Sequence, residues 1–294
     1  MTQPPFTIIE GCPLGDTETF LAATLSSDIG DYPGGLVFPI DKPLRWTSAD
    51  VVRKLKFALQ RHFRDRRLKV GHAGTLDPLA TGVLLVCAGA ATKRADELQA
   101  SSKEYEAEVC FGATTPSFDL EQEPDSFFPF KHITREKLLA ATEEFIGAQE
   151  QVPPVFSAKI VGGIRSYEYA RSGESVELRR TPVEIYSIEL LDFTPGEEAP
   201  AGSSEGPMPD AGDGDAVYLR EGERPEVSPL VKHVRNYHTA VVGGSTRLPV
   251  ATLRIRCSKG TYIRSLARDL GLALESGAHL RALRRTASGD FRLQ

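Results

Sequence analysis

The sequence predicts an α+β protein, with a mixed, largely antiparallel sheet and flanking helices and loops. Two stretches, at 103–112 and 249–257, alternate apolar and polar residues as half-buried strands do. A third stretch, at 47–61, combines a capping residue with apolar residues at helical spacing. Strands interspersed with helices, without an internal repeat, are typical of this class.

Length and composition exclude several classes of protein. The 294 residues can bury one large core or two modest ones. We expect no membrane segment and no secretory signal, because no apolar run approaches the ~18 residues of a membrane helix and the start lacks a basic and apolar leader. Four widely separated cysteines lack metal-like spacing, so we expect reduced thiols in a cytoplasmic protein.

The net charge of -5 hides an uneven distribution of charge. From Lys42 to His72 there are ten Lys and Arg against two acids, a composition that favours phosphate contact. From Pro195 to Pro229 there are nine acids against two Arg, with twelve Gly and Pro. That second stretch cannot bury enough apolar surface to offset its ordering entropy, so we expect a mobile loop.

Capping, breaker and periodicity signals predict the elements in chain order. In the first half they predict a helix at 16–24, a break at 31–35, a strand at 36–40, a helix from 47, an apolar run at 83–87, a helix at 91–100 and a strand at 103–112. In the second half they predict a helix at 134–146, a strand at 155–161, a turn at 162–163, a helix at 165–172, strands at 182–193 and 249–257, and a helix opened by 259–261 that runs to 275. The helix from 47 is expected to have Thr47 or Ser48 as its cap and to bury Val52, Leu55 and Leu59.

The stretch from Lys69 to Leu85 carries the strongest chemical signal, because it sets Asp77 in a glycine-rich loop. Pro78 holds Asp77 out of the helical region, and apolar neighbours surround the carboxylate. Such a loop can present one rigid carboxylate in a poorly hydrated place, as nucleophilic or acid–base work requires. An Asp-Pro pair is also an ordinary turn initiator, and the spacing alone does not choose between the two.

The run Gly-His-Ala-Gly-Thr-Leu-Asp-Pro-Leu-Ala-Thr-Gly at 71–82 resembles the signature of the TruB family of pseudouridine synthases, and Cys257 to Leu266 resembles the family's second motif. The resemblance covers about 36–192 and 249–291. It implies a pseudouridine-synthase-like catalytic domain at 35–294, interrupted by a Gly/Pro- and acid-rich insertion at 195–247. An N-terminal extension at 1–34 precedes the domain, and we expect no C-terminal RNA-binding domain of the PUA type.

The resemblance implies that Asp77 is the catalytic residue and that Arg264 pairs with it and keeps it charged. It implies that Tyr105 stacks on the extruded base, that Tyr262 lines the pocket and that Leu283 closes it. Without the resemblance, Arg264 reads as a surface helix residue and Tyr105 as a core tyrosine.

Two observations indicate residues that bind RNA. The resemblance indicates His72, Lys42 and Lys159, and the basic run that leads into the Asp77 loop indicates Lys69, Arg66 and Arg67. For Lys42 and Lys159, a backbone or phosphate contact competes with a plain structural role. For Asp119, in a stretch similar to another family motif, we expect a substrate-positioning or structural role.

The activity that the resemblance implies is isomerisation of a uridine to pseudouridine in the T-arm loop of tRNA, at position 55, by base flipping and without cofactor or metal. We expect a monomer. Two alternatives remain: a chaperone that only binds and remodels tRNA, and a carboxylate hydrolase of nucleosides or glycosides. The chaperone needs no paired carboxylate, and such hydrolases usually employ two acids.

Overall fold

The structure is a computed structural model that describes residues 5–157, 159–166, 178–197, 241–242 and 246–293. Its strands are β1 (Thr7–Ile8), β2 (Leu36–Lys42), β3 (Val70–His72), β4 (Ala80–Ala88), β5 (Lys103–Phe111), β6 (Ala113–Thr114), β7 (Ser126–Phe127), β8 (Gly147–Gln151), β9 (Ile160–Val161), β10 (Ile164–Arg165), β11 (Thr181–Thr194), β12 (Val241–Val242), β13 (Thr246–Arg247), β14 (Val250–Cys257), β15 (Ala278–Ser288) and β16 (Phe291–Arg292). Its helices are α1 (Thr17–Thr24), α2 (Ser48–His62), α3 (Ala95–Ala100), α4 (Arg135–Glu144) and α5 (Ile263–Ala273), with 3₁₀ turns at Ile29–Asp31 and Gly89–Arg94. Within these ranges, no helix has the length and apolar character needed to cross a membrane.

The described chain forms two units, and strand β15 contributes residues to both. The first unit contains the described residues up to Glu104 and those from Arg284 onward. Its strands follow the order β1-β2-β4-β15, with β3 also paired to β4 and β16 to β15. Strand β1 is parallel to β2, whereas β2 and β3 are both antiparallel to β4. Its core includes an apolar cluster of Val37, Ala73, Val83, Leu85, Cys87, Ala91 and Leu98.

Helix α2 of the first unit begins where the sequence predicts. The Thr47 side chain accepts a hydrogen bond from the Asp50 amide, and the Asp50 carboxylate accepts one from the Thr47 amide, which completes a capping box. The buried face includes Leu55 and Leu59 as predicted, but the prediction of Val52 was wrong by one position, since Val51 is the fully buried valine. The predicted N-terminal helix is α1, which packs against α2.

The second unit contains the described residues from Tyr105 to Leu283, and its strands follow the order β15-β5-β14-β11-β8. Strand β11 is antiparallel to both β14 and β8. The predicted alternation is confirmed in β5 and β14, where Ala107 and Val109, and Leu253 and Ile255, are buried. The α+β class with a mixed, largely antiparallel sheet is therefore confirmed.

Several predicted elements differ in detail. The helix predicted at 91–100 begins as a 3₁₀ turn and becomes α-helical only at Ala95, and the strand predicted at 155–161 exists only at Ile160–Val161. The helix predicted at 165–172 falls mostly outside the described residues, and Arg165 belongs to β10. Most of the insertion at 195–247 also lies outside them. No strand was predicted at 278–288, where β15 runs.

Candidate active site

In the first unit, Asp77 lies half-buried on the loop between β3 and β4. The residue before it is clamped to the start of α2, because the Ser48 hydroxyl accepts from the Leu76 amide at 2.9 Å and donates to the Leu76 carbonyl at 3.1 Å. The residue after it is also held, because the Arg45 amide donates to the Pro78 carbonyl at 2.8 Å. The loop therefore presents its carboxylate from a fixed backbone.

Lys42, at the end of β2, is a buried cation beneath this loop. Its ammonium donates to the carbonyls of Pro43 at 2.9 Å, Trp46 at 2.5 Å and Pro78 at 3.2 Å. The side chain is 0% exposed, and burial lowers the pKa of Lys42 from 10.5 to about 7, against the nearby Asp77 and Asp50 charges, which raise it. These three carbonyls are the contacts of a structural role, and direct RNA binding by Lys42 stays a prediction.

Arg285, on β15, is a second buried cation at the same loop, and its side chain is 1% exposed. Its Nε donates to the Val83 carbonyl at 2.7 Å, its Nη1 to the Thr75 carbonyl at 3.4 Å and its Nη2 to the Gly74 carbonyl at 3.2 Å. The strand comes this close because Gly82 has no side chain: a Cβ there would lie 2.2 Å from the Arg285 carbonyl oxygen.

His72 is the last residue of β3 and is half-buried. Burial, and secondarily the Arg285 charge, lower the pKa of His72 below its usual 6.5, so the imidazole is neutral at pH 7. Among the described residues, its buried Nδ1 has no hydrogen-bond partner. The other RNA-binding candidates of this unit, Lys69, Arg66 and Arg67, are exposed on the turn between α2 and β3. Their contact with RNA stays a prediction.

In the second unit, Arg264 is not the surface residue that its helix position alone suggests. It is 3% exposed near the start of α5, and its guanidinium donates to the carbonyls of Ser117 at 3.1 Å and Phe156 at 2.8 Å. Its Nε lies 3.6 Å from a carboxylate oxygen of Asp119, which is also buried. A buried arginine fixed by two carbonyls and an acid is preorganised to present its charge.

Tyr262 is the N-cap residue of α5, and a buried glutamine at the end of β8 holds its backbone. The Gln151 amide donates to the Tyr262 carbonyl at 3.1 Å and accepts from the Tyr262 amide at 2.8 Å. Tyr105 is 8% exposed on β5, and Leu283 is half-buried on β15. Lys159 donates to the Thr181 hydroxyl at 2.5 Å and to the Arg179 carbonyl at 3.3 Å, which are the contacts of a structural role.

Sequence reasoning missed Ser48 as a loop clamp, Gln151 and Arg285. Nothing local marks Ser48 or Gln151, since their partners lie 28 and 111 residues away. Arg285 sits in a basic segment that resembles a solvated surface, and its signal was the alternation of Leu283, Arg285 and Ala287 with polar residues.

Among the described residues, no three His, Cys, Asp or Glu side chains are grouped in a way that could hold a metal ion. The four cysteines, Cys12, Cys87, Cys110 and Cys257, are buried thiols outside disulfides. What the first unit offers is a half-buried carboxylate on a loop whose backbone is held by two buried basic side chains, Lys42 and Arg285. Such a group can act as a nucleophile or as a base.

Comparison with known proteins identifies the class. Residues 60–200 match the family model described as TruB family pseudouridylate synthase (N terminal domain), and residues 264–294 match tRNA pseudouridylate synthase B C-terminal domain. The fold is also similar to that of a chain in a crystal structure of a Cbf5–Nop10–Gar1 complex, with a TM-score of 0.52 and 26% identity over 88% of this chain and 50% of that one. This chain therefore spans half the length of that solved chain. The protein is a pseudouridine synthase, an isomerase.

Relatives define the family more closely. The chain is 44% identical over 264 residues, covering 90% of both chains, to tRNA pseudouridine synthase B of Phocaeicola vulgatus. It is 43% identical to the protein of the same name from Parabacteroides distasonis, over 90% of this chain and 89% of that one. The chain belongs to the TruB family of pseudouridine synthases.

Proposed function

We propose that this protein isomerises a uridine of tRNA to pseudouridine, in the T-arm loop, with Asp77 as its catalytic residue. The observation that carries the proposal is the Asp77 loop: its sequence resembles the family signature, and its backbone is held on both sides by buried groups. The relatives that match over nine-tenths of the chain carry the name tRNA pseudouridine synthase B, which supports tRNA as the substrate.

The reaction needs a base that is out of its stack. Uracil must detach from C1′, rotate and rejoin through C5, so that the N1–C1′ bond breaks, a C5–C1′ bond forms, the C5 hydrogen leaves and N1 gains a proton. A stacked base cannot do this, and flipping it out costs a few kcal/mol, to be recovered from phosphate and stacking contacts. We assign the stacking to Tyr105 and phosphate contacts to the exposed Arg66, Arg67 and Lys69.

Asp77 then acts on the ribose or on the uracil, as nucleophile or base. Arg264 keeps the carboxylate charged, Tyr262 lines the pocket and Leu283 closes it. The pairing of Asp77 with Arg264 in this proposal comes from the two sequence motifs. The burial of Arg264 and its fixed guanidinium support a role beyond that of a surface helix residue. We also propose a monomer that acts in the cytoplasm, where the buried thiols stay reduced.

The test uses an unmodified tRNA transcript and a second transcript in which the T-loop uridine is replaced by cytidine. Each is incubated with the wild type, with Asp77→Asn and with Asp290→Asn, which changes an exposed carboxylate in the turn before β16. Pseudouridine is mapped by carbodiimide modification and primer extension.

We expect pseudouridine at the T-loop position of the first transcript with the wild type and Asp290→Asn, and none with Asp77→Asn. Product elsewhere in the tRNA would contradict the T-arm assignment. Binding of tRNA without product by every variant would favour the chaperone alternative.

A further inference from the structure

Three side chains, those of Ser48, Lys42 and Arg285, hold the backbone around Asp77 through hydrogen bonds. Ser48 holds Leu76, immediately before the acid, and Lys42 holds Pro78, immediately after it. Arg285 holds the two residues before Leu76, through hydrogen bonds to the carbonyls of Gly74 and Thr75.

Arg285 holds the Gly74–Thr75 segment, which has more conformational freedom than the rest of the loop. Gly74 has a φ of +100°, in the region that only glycine visits readily, and Thr75 is exposed. The same guanidinium donates to the Val83 carbonyl on β4. A single planar side chain therefore ties the loop to the strand that follows it, with an N–H for each of the three carbonyls.

We propose that Arg285 is a positioning residue for catalysis, which sets the Asp77 carboxylate by fixing the Gly74–Thr75 backbone to β4. This inference rests on the proposed function. Arg285 lies 208 positions downstream of the acid in the sequence. Arg285 does not touch substrate in this proposal; it acts through the loop.

The electrostatic environment supports the same role. The Arg285 charge contributes to the lowered pKa of both His72 and Lys42, so the guanidinium lies within electrostatic range of groups on both sides of the loop. The charge is desolvated, because the side chain is 1% exposed, and its hydrogen bonds to carbonyls are correspondingly strong.

The test compares single-turnover rate constants at saturating tRNA with tRNA dissociation constants. The perturbing variant is Arg285→Met, which keeps much of the side-chain volume and removes all three donors. Arg284→Met is the charge control, because Arg284 is the exposed neighbour on β15, paired with Asp41 at 2.8 Å. Leu98→Ala is the stability control, because it removes core contacts of the same unit.

For Arg285→Met we expect the rate constant to fall about 100-fold, as a misplacement near 1 Å does, while the tRNA dissociation constant changes less than about threefold. Both controls should keep the rate within about threefold of the wild type at a temperature where each is folded, although Leu98→Ala lowers the melting temperature. Arg285→Lys keeps the charge without the planar fork, and we expect roughly a tenfold loss of rate.

A wild-type rate in either Arg285 variant would overturn the inference, and so would a loss confined to tRNA affinity. If Arg285→Met does not fold, the Arg285→Lys rate decides. If the wild type itself makes no pseudouridine, the proposed function fails, and a local readout still tests the positioning: amide hydrogen exchange in 73–79 should accelerate in Arg285→Lys and not in Arg284→Met.

Discussion

Replacing Lys42 with methionine removes a buried ammonium, and the resulting change in stability should depend on pH in a defined way. Burial lowers the pKa of Lys42 from 10.5 to about 7 in the folded protein. At 1.36 kcal/mol per pKa unit, this corresponds to roughly 5 kcal/mol between the charged and neutral forms. The folded protein bears that cost fully at pH values below about 7.

The direction in which stability changes with pH follows from proton binding in the folded and unfolded states. Between about pH 7 and pH 10.5 the unfolded chain keeps its Lys42 proton and the folded protein loses it. Because the unfolded state binds more protons in this window, the stability contributed by Lys42 rises with pH, at up to about 1.4 kcal/mol per pH unit. With these pKa values the rise amounts to about 2 kcal/mol between pH 7 and pH 9. Methionine has no proton to lose, so the variant lacks this term.

The assay is urea denaturation of the wild type, Lys42→Met and Lys69→Met at pH values from 5 to 9. The three carbonyls that lose their donor in Lys42→Met give a pH-independent offset of about 1–3 kcal/mol per unsatisfied group. On top of it, the stability of the wild type relative to Lys42→Met should be flat below about pH 6 and rise by about 2 kcal/mol between pH 7 and pH 9. The exposed Lys69 serves as the control, and its curve should parallel the wild type. Parallel curves for Lys42→Met would refute the reasoning.

Two further substitutions test how the two units hold their site residues. Gly82→Ala would place a Cβ 2.2 Å from the Arg285 carbonyl oxygen, so we expect the free energy of unfolding to fall by at least about 2–3 kcal/mol. Gly71→Ala is the control, because its Cβ would have no atom within 4 Å, and it should cost about 1 kcal/mol or less in the same urea denaturation. Equal losses would contradict the close approach of β4 and β15. Gln151→Leu removes the side-chain partner of the partly buried amide and carbonyl of Tyr262. We expect a loss of about 1–3 kcal/mol and a slower single-turnover rate, and an unchanged rate would argue against a role for Tyr262 in the pocket.

Local chemistry in the sequence was enough to predict the helices and most of the longer strands. The structure confirms two short-range signals: the Thr47 cap with Asp50 three residues on, and the alternation through β14 and in β5 as far as Val109. Both signals can be recognised without knowledge of distant residues, because a capping box and a half-buried strand each have their pattern in neighbouring residues of the sequence.

The elements that were missed depend on distant partners. Strand β15 carries Arg284 and Arg285 in a segment that reads as a basic surface, and only the carbonyls of the Asp77 loop make one of these arginines a buried residue. Lys42 was predicted with open alternatives for the same reason: a lysine followed by proline can face a phosphate or turn inward, and one of the three carbonyls that its ammonium contacts, that of Pro78, lies 36 residues away. A basic residue in a sequence therefore indicates a positive charge, but it does not predict whether water, RNA or protein backbone will surround that charge.

The catalytic role of Asp77 is tested most directly with tRNA that carries tritium at C5 of its uridines. Pseudouridine formation releases the C5 hydrogen of the reacting base, so the label in solvent counts turnovers without any separation of products. We predict that the wild type releases one tritium per tRNA, that a transcript without the T-loop uridine releases none, and that Asp77→Asn releases none while it still binds tRNA. Release by Asp77→Asn at the wild-type rate would contradict the assignment of Asp77.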